Sequence, residues 1–300
     1  MELDIYKIGI IDTMNSKGIK LLKSQTNFNV DVITDLSKEN LLKVLPKYDG
    51  VTLRRGKLDY EILKNCKKLK VIARHGVGYD NVDTNYIKEN NITLLVTHNS
   101  TSTSPAEHIM FMILNIYKGR EMFDQMVREG NFHKAIHLQI NDNFEVFNKK
   151  ILIIGFGRIG KKLIKKCLGF DMNVLVYDPY IDEKTITSLG GKKITDLEDT
   201  LKEVDIVSMS VPLTEKTKNM ISYKEISLMK KSSIIINASR GGIVNENDLN
   251  KALDNSIISF AGLDVFEKEP PEKNNPLLKN KRVLLSPHAA TFTKECLENM

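Results

Sequence analysis

The chain has 300 residues, which is enough for two ordinary domains that each bury a hydrophobic core. Hydrophobic residues make up 41% of it and charged residues 27%, the balance of a soluble globular protein. The net charge of +6 comes from lysines scattered through helical patterns rather than grouped with aromatic residues, which argues against nucleic acid as a partner and is compatible with attraction of small anions.

The cysteines and the N-terminus bear on where the protein works. Cys66, Cys167 and Cys296 are far apart and odd in number, which argues against a disulfide framework and against a metal site, so we expect no metal. The N-terminus lacks the basic and then apolar pattern of a signal, and no apolar run approaches the length that spans a membrane. We therefore expect a cytoplasmic protein with no membrane partner.

Residues 1 to about 98 alternate short apolar runs with helical patterns. Strands separated by helices of this length predict right-handed crossovers and a parallel sheet, in which ligands bind at the carboxyl ends of the strands. The predicted strands are 8–11, 30–33, 50–53, 69–73 and 92–96, and the predicted helices lie around 18–22, 41–45, 60–63 and 84–88.

Two loops that follow these strands carry residues suited to an anion. Arg54, Arg55 and Lys57 follow one strand, and residues 74–83 follow another, with glycines on both sides of Val77. Those glycines would expose consecutive backbone N–H groups, which form a concavity suited to a carboxylate. The residues alone are equally compatible with a structural turn that carries surface arginines.

A polar stretch, residues 99–104, is predicted to be a hinge. Pro105 then opens a long helical pattern at an early turn, where its missing N–H costs nothing, and the pattern continues after Gly119 to about residue 127. Its apolar positions fall on one face, at Ile109, Met112, Ile113 and Ile116. We expect this apolar stripe to be core rather than a ligand surface.

The pattern typical of a dinucleotide site begins at residue 150. A short apolar run meets three glycines at G-x-G-x-x-G spacing, a helical pattern follows, and a second apolar run ends on Asp178. Gly155 permits the tight turn, Gly157 lets the backbone approach a pyrophosphate, and Gly160 lets the helix pack on the strand. The helix start points its N–H groups at the phosphates, and Asp178 suits the ribose hydroxyls but repels a 2′-phosphate, which predicts NAD rather than NADP.

The alternation of strand and helix continues from there to the end of the sequence. Six strands are predicted, at 151–154, 174–177, 205–209, 233–237, 258–263 and 283–285. This number matches a doubly wound nucleotide-binding sheet. The sequence therefore predicts an α/β protein with two doubly wound parallel-sheet domains.

Three clusters at the ends of late strands carry the candidate chemistry. Arg240 follows a buried strand and precedes two glycines, Glu267 and Glu269 follow another, and His288 comes after Ser-Pro. Oxidation of a secondary alcohol needs a base for the hydroxyl proton, histidine titrates near working pH, and a carboxylate orients it. A guanidinium offers a fork for a carboxylate. Alone, such a histidine is more often a turn residue than a catalyst, the arginine is compatible with a surface helix cap and the glutamates with a solvated loop. Beside a dinucleotide site the three residues instead indicate anchor, orienter and acid–base.

These motifs together resemble the D-isomer-specific 2-hydroxyacid dehydrogenases, and among them most closely the D-3-phosphoglycerate dehydrogenases. The similarity runs from about Val51 to the end. The matching motifs are residues 74–83, 155–160 with Asp178, 211–214, 237–242, 264–270 and 286–288. The resemblance implies NAD as the cofactor and a Rossmann-like NAD domain, about 99–286, inserted into a discontinuous flavodoxin-like substrate domain, 1–98 plus 287–300.

The resemblance assigns roles residue by residue. It implies catalysis by Arg240, Glu269 and His288, with Glu269 rather than Glu267 as the partner of the histidine. The implied cofactor contacts are Gly155, Gly157, Arg158, Ile159, Gly160, Asp178, Pro212, Ala238 and Asp264. The implied substrate contacts are Arg54, Arg74, Val77, Gly78, Arg240 and, across a homodimer built by the helices around 105–130, Lys134.

Three departures from the family pattern bear on these assignments. The loop at residues 54–57 is one residue shorter than the family pattern, so the substrate contact assigned to Arg54 is open to Arg55 as well. Ser210 stands where many relatives have histidine. The sequence also ends soon after His288, which implies either an abbreviated closing helix or a short sequence. We expect no regulatory domain.

Three functions follow as hypotheses. The first is oxidation of 3-phosphoglycerate to 3-phosphohydroxypyruvate, a step of serine synthesis, with a phosphorylated small-molecule substrate. The second is a glyoxylate/hydroxypyruvate or other D-2-hydroxyacid reductase, with the arginines merely on the surface. The third is an NAD(H)-sensing binding protein, which retention of the full Arg–Glu–His set disfavours.

Overall fold

The computed structural model describes residues 4–97, 101–137 and 143–300. It divides into two compact units. The first comprises residues 1–101 and 292–300, and the second comprises residues 102–291. The predicted hinge begins at Asn99, and Asn99 and Ser100 lie outside the described residues, whereas Thr101 and Ser102 are buried.

The first unit is built on a parallel sheet. Among residues 4–97 the sheet has five strands: β1 (Tyr6–Ile11), β2 (Phe28–Ile33), β3 (Gly50–Leu53), β4 (Val71–Arg74) and β5 (Thr93–Val96). Their order is β2-β1-β3-β4-β5, the flavodoxin-like arrangement. The helices are α1 (Ser16–Lys23), α2 (Lys38–Val44), α3 (Tyr60–Leu63), α4 (Thr84–Glu89) and, from the C-terminal segment, α13 (Lys294–Asn299).

Local signals explain where these helices begin. The side chains of Ser37, Asp59 and Asp83 accept backbone N–H groups of the first turns of α2, α3 and α4. The apolar faces of the strands then pack on helix residues to form one core around Leu53 and Ile72. The predicted strands and helices of this unit are confirmed to within a few residues at each end.

The second unit contains a longer parallel sheet. Within the described part of the chain its strands are β6 (Lys150–Ile154), β7 (Asn173–Tyr177), β8 (Lys192–Lys193), β9 (Ile206–Met209), β10 (Ile234–Asn237), β11 (Phe260–Leu263) and β12 (Val283–Leu285). Their order, β12-β11-β10-β9-β6-β7-β8, is that of a Rossmann sheet extended by one strand. The predicted number of six is therefore wrong, because β8 is only two lysines long and carries no apolar run.

Helices cover both faces of this sheet. The helices of this unit in the described ranges are α5 (Thr103–Lys118), α6 (Arg120–Arg128), α7 (Phe132–Ile136), α8 (Arg158–Gly169), α9 (Glu183–Thr187), α10 (Leu197–Leu201), α11 (Tyr223–Ile226) and α12 (Glu246–Asp254), of which α6 and α7 lack buried residues. The long pattern from Pro105 is divided into α5 and α6 by Gly119, whose left-handed conformation ends the first helix. The predicted apolar stripe is buried on α5, which confirms that part of it as core. Its continuation on α6 is not core, since Met122 is 44% and Val127 55% exposed.

Parallel strands bring the residues that follow β6, β9, β10, β11 and β12 to one edge of the second sheet. Each predicted cluster of catalytic and cofactor residues from 155 onward follows one of these strands or β7. The predicted fold class is confirmed by both sheets. None of the helices in the described ranges is both long and apolar enough to cross a membrane.

Candidate active site

The turn between β6 and α8 is shaped by its three glycines. Gly155 has φ +94°, and a Cβ there would lie 2.5 Å from the carbonyl oxygen of Ser210. A Cβ at Gly160 would lie 2.6 Å from the carbonyl oxygen of Gly155. In contrast, a Cβ at Gly157 would meet no atom within 4 Å. Two glycines are therefore required by the turn itself, whereas Gly157 leaves open space in front of the helix start.

The start of α8 is suited to a pyrophosphate. No side chain caps it, and Arg158 and Ile159 form its first turn together with buried Gly160. Uncapped N–H groups at a helix start, together with the helix dipole, bind anions. The glycine cradle therefore fits a dinucleotide, as predicted from the motif.

Asp178, at the end of β7, is held by the same turn. Its Oδ2 accepts the N–H of Phe156 at 2.7 Å, and its Oδ1 accepts the N–H of Tyr180 at 2.8 Å. A carboxylate has about four lone-pair positions, so these two bonds leave acceptor capacity for ribose hydroxyls. These two N–H groups thus fix the position of the Asp178 carboxylate relative to the glycine turn.

The loop after β9 carries Pro212. Pro212 is exposed, and its carbonyl accepts the hydroxyl of Thr217 at 2.6 Å, which fixes the loop. The backbone carbonyl of Ser210 lies against Gly155, and the Ser210 hydroxyl has no hydrogen-bond partner among the described residues. Pro212 is thereby placed at the sheet edge that carries the glycine turn.

The segment after β10 folds into a tight turn that places Arg240. Asn237 is buried, its Oδ1 accepts the N–H and the hydroxyl of Ser239, and its Nδ2 donates to the carbonyl of Arg240 at 2.8 Å. Arg240 itself is half-buried, and its Nη1 donates to the carbonyl of Ser239 at 2.6 Å. Ala238, between them, is 8% exposed.

The turn of Arg240 packs directly on the segment that carries Glu269. A Cβ at Gly241 would overlap the carbonyl group of Phe266, so only glycine permits this approach. The N–H of Phe266 donates to Glu269 Oε1 at 3.1 Å, which orients the carboxylate. Backbone packing at Gly241 therefore fixes Arg240 and Glu269 relative to each other.

Glu269 and His288 form a hydrogen-bonded pair. Glu269 Oε2 lies 2.7 Å from His288 Nδ1, and both side chains are partly exposed. Burial raises the pKa of the Glu269 carboxyl, but the contact with His288, the N–H of Phe266 and the charge of Arg240 outweigh it and hold that pKa below its usual range. Glu269 is thus a carboxylate that orients the imidazole and leaves His288 Nε2 for another partner.

Asp264 holds the backbone of the turn that carries His288. The carbonyl of Asp264 accepts the N–H of His288 at 2.7 Å. Its carboxylate accepts the N–H groups of Ala289 and Ala290, at 2.7 and 2.9 Å. His288 is in the left-handed region, with φ +52°, which brings these three consecutive N–H groups together. The buried aspartate therefore fixes the conformation of the turn.

Two further residues complete the surroundings of Asp264. The Ser286 hydroxyl donates to Asp264 Oδ1, and His108 Nε2 lies 3.0 Å from Ser286 Oγ and 3.4 Å from Asp264 Oδ1. Burial raises the pKa of Asp264, but the hydrogen bonds from His108, Ser286 and the two alanine N–H groups prevail and lower it. His108 was missed by sequence reasoning; its signal is an isolated polar residue beside the apolar stripe of α5.

Arg54 and Arg55, in the first unit, make different contacts. Arg55 makes two hydrogen bonds to the buried carboxylate of Asp12, at 2.6 and 2.9 Å. The hydrogen bond from Arg55 is the main cause that lowers the pKa of Asp12. Arg54 instead lies over the ring of Phe292, 5.1 Å from its centroid. Arg55 is committed to an ion pair, and Arg54 is the better candidate for an external anion.

The loop after β4 carries the other predicted substrate contacts. Arg74 Nη1 donates to the carbonyls of Leu53 and His75, at 3.0 and 2.7 Å, so this arginine braces two loops. The N–H groups of Val77 and Gly78 make no hydrogen bond to another described residue. They are half-buried, as donors to a carboxylate would be.

His75 in this loop was not predicted as a functional residue. It is 6% exposed, and neither ring nitrogen has a hydrogen-bond partner within residues 4–97, 101–137 and 143–300. Burial and the nearby charges of Arg54 and Arg74 lower its pKa to about 4. The ring is therefore neutral at neutral pH.

Lys134 lies on α7 in the second unit and is exposed. It makes no ion pair with another described residue. The expected substrate role of Lys134 therefore depends on a second subunit.

The described residues contain no group of His, Cys, Asp and Glu side chains that could hold a metal.

Comparison with known proteins decides the family. The model of the D-isomer specific 2-hydroxyacid dehydrogenase, NAD binding domain, matches residues 110–290. The chain belongs to this family. The matched residues lie within the second unit, and the match to an NAD-binding domain confirms NAD as the predicted cofactor and the resemblance seen in the motifs.

Several relatives are similar over most of the chain. A D-3-phosphoglycerate dehydrogenase of Methanocaldococcus jannaschii is 36% identical over 97% of the chain and 54% of that protein. A glyoxylate reductase of Thermococcus litoralis is 38% identical over 87% of the chain and 79% of that protein. The structure of D-lactate dehydrogenase from Aquifex aeolicus, complexed with NAD and lactic acid, superposes with a TM-score of 0.84 at 29% identity, covering 97% of this chain and 91% of that one.

These relatives differ in length and in the substrates in their names. The chain spans about half the length of the phosphoglycerate dehydrogenases it matches, 54% and 55%. It spans most of the glyoxylate and hydroxypyruvate reductases, between 79% and 93%. The family is common to both groups, and the substrate is not.

Proposed function

We propose that the protein is an NAD-dependent D-2-hydroxyacid dehydrogenase. The observation that carries this proposal is the 2.7 Å contact between His288 Nδ1 and Glu269 Oε2 at the sheet edge that also carries Arg240 and the glycine turn. A histidine oriented by a carboxylate, beside a guanidinium and a dinucleotide cradle, is what oxidation of an alcohol next to a carboxylate needs.

The chain's own residues divide the work of the reaction. His288 Nε2 takes the hydroxyl proton in oxidation and returns it in reduction, while Glu269 holds Nδ1 and stabilises the imidazolium. Arg240 binds the substrate carboxylate and polarises the neighbouring carbonyl. The N–H groups of Val77 and Gly78 are proposed as further donors to that carboxylate.

The cofactor supplies the hydride acceptor and donor when bound. The cradle of Gly155, Gly157 and Gly160, with Arg158 and Ile159 at the start of α8, is proposed to hold the pyrophosphate. Asp178 holds the adenosine ribose. Pro212, Ala238 and Asp264 are proposed to lie along the nicotinamide half, where Asp264 takes part through the turn that it anchors.

The substrate that we place first is 3-phosphoglycerate, oxidised to 3-phosphohydroxypyruvate in serine synthesis. Arg54 has no carboxylate partner in the described ion pairs. We propose that it binds the phosphate together with Arg74 of the same subunit and with Lys134 of the partner subunit. Several cations are what a phosphate ester needs. The neutral His75 beside both arginines avoids further repulsion between cations.

A second candidate is supported by a specific observation. Arg74 donates hydrogen bonds to the carbonyls of Leu53 and His75, and these bonds indicate a structural role for its side chain. With Arg74 structural, the same catalytic residues would serve a glyoxylate or hydroxypyruvate reductase. The similarity of the chain to such reductases over most of their length also supports this alternative.

We further propose that the protein is a cytoplasmic homodimer. The helices α5 to α7 expose large apolar side chains, among them Phe111 at 50%, Phe132 at 58% and Ile136 at 70%. Large apolar side chains exposed on helices are typical of subunit interfaces. Light scattering on the purified protein tests the dimer, and a monomeric mass would remove Lys134 of the partner subunit from the proposed substrate site.

The test of substrate class compares kcat/KM for 3-phosphohydroxypyruvate, hydroxypyruvate and glyoxylate, followed by oxidation of NADH. A preference of about tenfold or more for the phosphorylated compound, about 1.4 kcal/mol of transition-state binding, supports the phosphoglycerate assignment. Equal or reversed values favour the reductase. Binding of NADH without turnover of any 2-oxoacid would contradict both.

A further inference from the structure

His108, on α5, contacts the network that fixes the acid–base histidine without itself reaching Glu269 or His288. Its side chain is 16% exposed, and its ring lies 5.8 Å from that of Phe111, measured between centroids. It is 178 residues from its partner Ser286 in sequence.

The hydrogen-bond directions determine which atom of His108 carries a proton. The Ser286 hydroxyl has one hydrogen, and it donates that hydrogen to Asp264 Oδ1. Ser286 Oγ can therefore only accept from His108 Nε2, which lies 3.0 Å away. His108 Nε2 is thus a donor, and its N–H points at the pair formed by Ser286 and Asp264.

Asp264 needs this donor because it is fully buried. Its described partners are the Ser286 hydroxyl, the N–H groups of Ala289 and Ala290, and His108. A buried carboxylate depends on complete hydrogen bonding, and His108 is the one group in this set that can carry a positive charge. The same carboxylate fixes the turn that presents His288.

We infer that His108 is a positioning residue for the acid–base His288. Its Nε2–H holds the Ser286 hydroxyl and the Asp264 carboxylate in place, and Asp264 in turn fixes the three consecutive N–H groups from His288 to Ala290. The helix α5 thereby helps to set the direction from which His288 Nε2 meets the substrate. This inference rests on the proposed dehydrogenase function of His288.

Two substitutions of His108 separate positioning from packing. His108→Gln keeps an N–H donor at a similar distance from the backbone, whereas His108→Leu fills the space and removes the donor. Glu107→Leu is a matched control at the adjacent position of α5, since it removes an exposed side chain whose partly exposed ion pair with Lys166, at 2.9 Å, contributes little to stability. Each variant is compared with the unaltered protein in kcat, in KM for NADH and in thermal midpoint.

We expect His108→Leu to lower kcat by about tenfold to a hundredfold, the effect of a small displacement of a catalytic group, with KM for NADH changed by less than about twofold. His108→Gln should recover most of kcat, and Glu107→Leu should match the unaltered protein. Unaltered kcat in His108→Leu, or equal damage by glutamine and leucine, would overturn the inference. The inference would also be overturned if kcat fell across the variants only in proportion to the fall in thermal midpoint, because loss of packing would then explain the loss of activity.

A spectroscopic measurement decides the inference even if the proposed function fails. The chain has six histidines, so their ring Cε1–H signals can be resolved by NMR, with His288→Asn identifying the signal of His288. We expect the His288 signal to move in His108→Leu and to stay in place in His108→Gln. An unmoved signal in His108→Leu would refute the positioning role, whereas absent turnover in the unaltered protein would refute the dehydrogenase proposal alone.

Discussion

The main-chain carbonyl of Asp264 accepts the N–H of His288 at 2.7 Å, while the side chain of the same aspartate accepts the next two N–H groups of the chain. One buried residue therefore determines the left-handed backbone at His288 and the position of its ring beside Glu269. His288, the proposed acid–base residue, is exposed, whereas Asp264, which anchors its backbone, is buried. The proposed mechanism therefore links stability and catalysis at Asp264.

Asp264→Asn should impair both properties. An amide of the same size replaces one acceptor oxygen by an NH₂ group, so at least one N–H of the turn loses its partner, at a cost of about 1 to 3 kcal/mol in the free energy of unfolding. We expect kcat to fall by about tenfold or more because His288 is displaced. Urea unfolding and steady-state kinetics measure the two effects, and unchanged values in both would contradict the anchoring role.

Substitutions in the glycine turn should separate folding from cofactor binding. Gly157→Ala places its methyl group in open space, so we expect a stability change within about 1 kcal/mol, the range of helix-capping effects, but at least a tenfold weaker NADH affinity. Gly160→Ala clashes with the Gly155 carbonyl and should cost about 1 to 3 kcal/mol of stability. Thermal unfolding and NADH fluorescence titration distinguish them; the reverse order of effects would exclude the proposed cradle.

Arg54 and Arg55 form a matched pair for mutation. Arg55→Gln leaves the buried Asp12 carboxylate without its bidentate partner and should destabilise the protein by about 1 to 3 kcal/mol. Arg54→Gln should leave stability nearly unchanged and lower kcat/KM for the phosphorylated substrate by about tenfold. Values of kcat/KM for glyoxylate serve as the internal control, and equal losses on both substrates would argue against a phosphate contact.

The stability of the protein should depend on pH through His75. Its pKa of about 4 in the folded protein is below the usual 6.5, so the unfolded chain binds more protons between these values and stability falls as pH falls through that window. We expect a loss on the order of 2 kcal/mol from about pH 7 to about pH 4.5. His75→Leu should lose less by that amount in urea titrations; an identical pH dependence in both proteins would refute the assignment.

The fold was predictable because local patterns agree with it. The apolar runs of β6 and β7 and the glycine spacing between them are local signals, and the structure places them as expected. The two lysines of β8 have no such pattern, since that strand pairs only at the sheet edge. Gly119 also shows why one long helical pattern became two helices.

The site was predictable only where one segment carries the signal. Arg240, Glu269 and His288 each follow a strand, and parallel topology alone brings their segments to one edge. The choice between Arg54 and Arg55 depends on Asp12, which is 43 residues away from Arg55. The role of His108 depends on a tertiary contact with Ser286, so spacing within α5 could not reveal it.

The most direct test of the dehydrogenase proposal compares the unaltered protein with His288→Asn in NADH oxidation with the three 2-oxoacids. We expect turnover of at least one of them by the unaltered protein and a loss of about a hundredfold or more in the variant, the usual size of an acid–base contribution. NADH affinity should stay within about twofold, because the imidazole moves a proton and the cradle holds the cofactor. Full activity in His288→Asn would contradict the proposed mechanism.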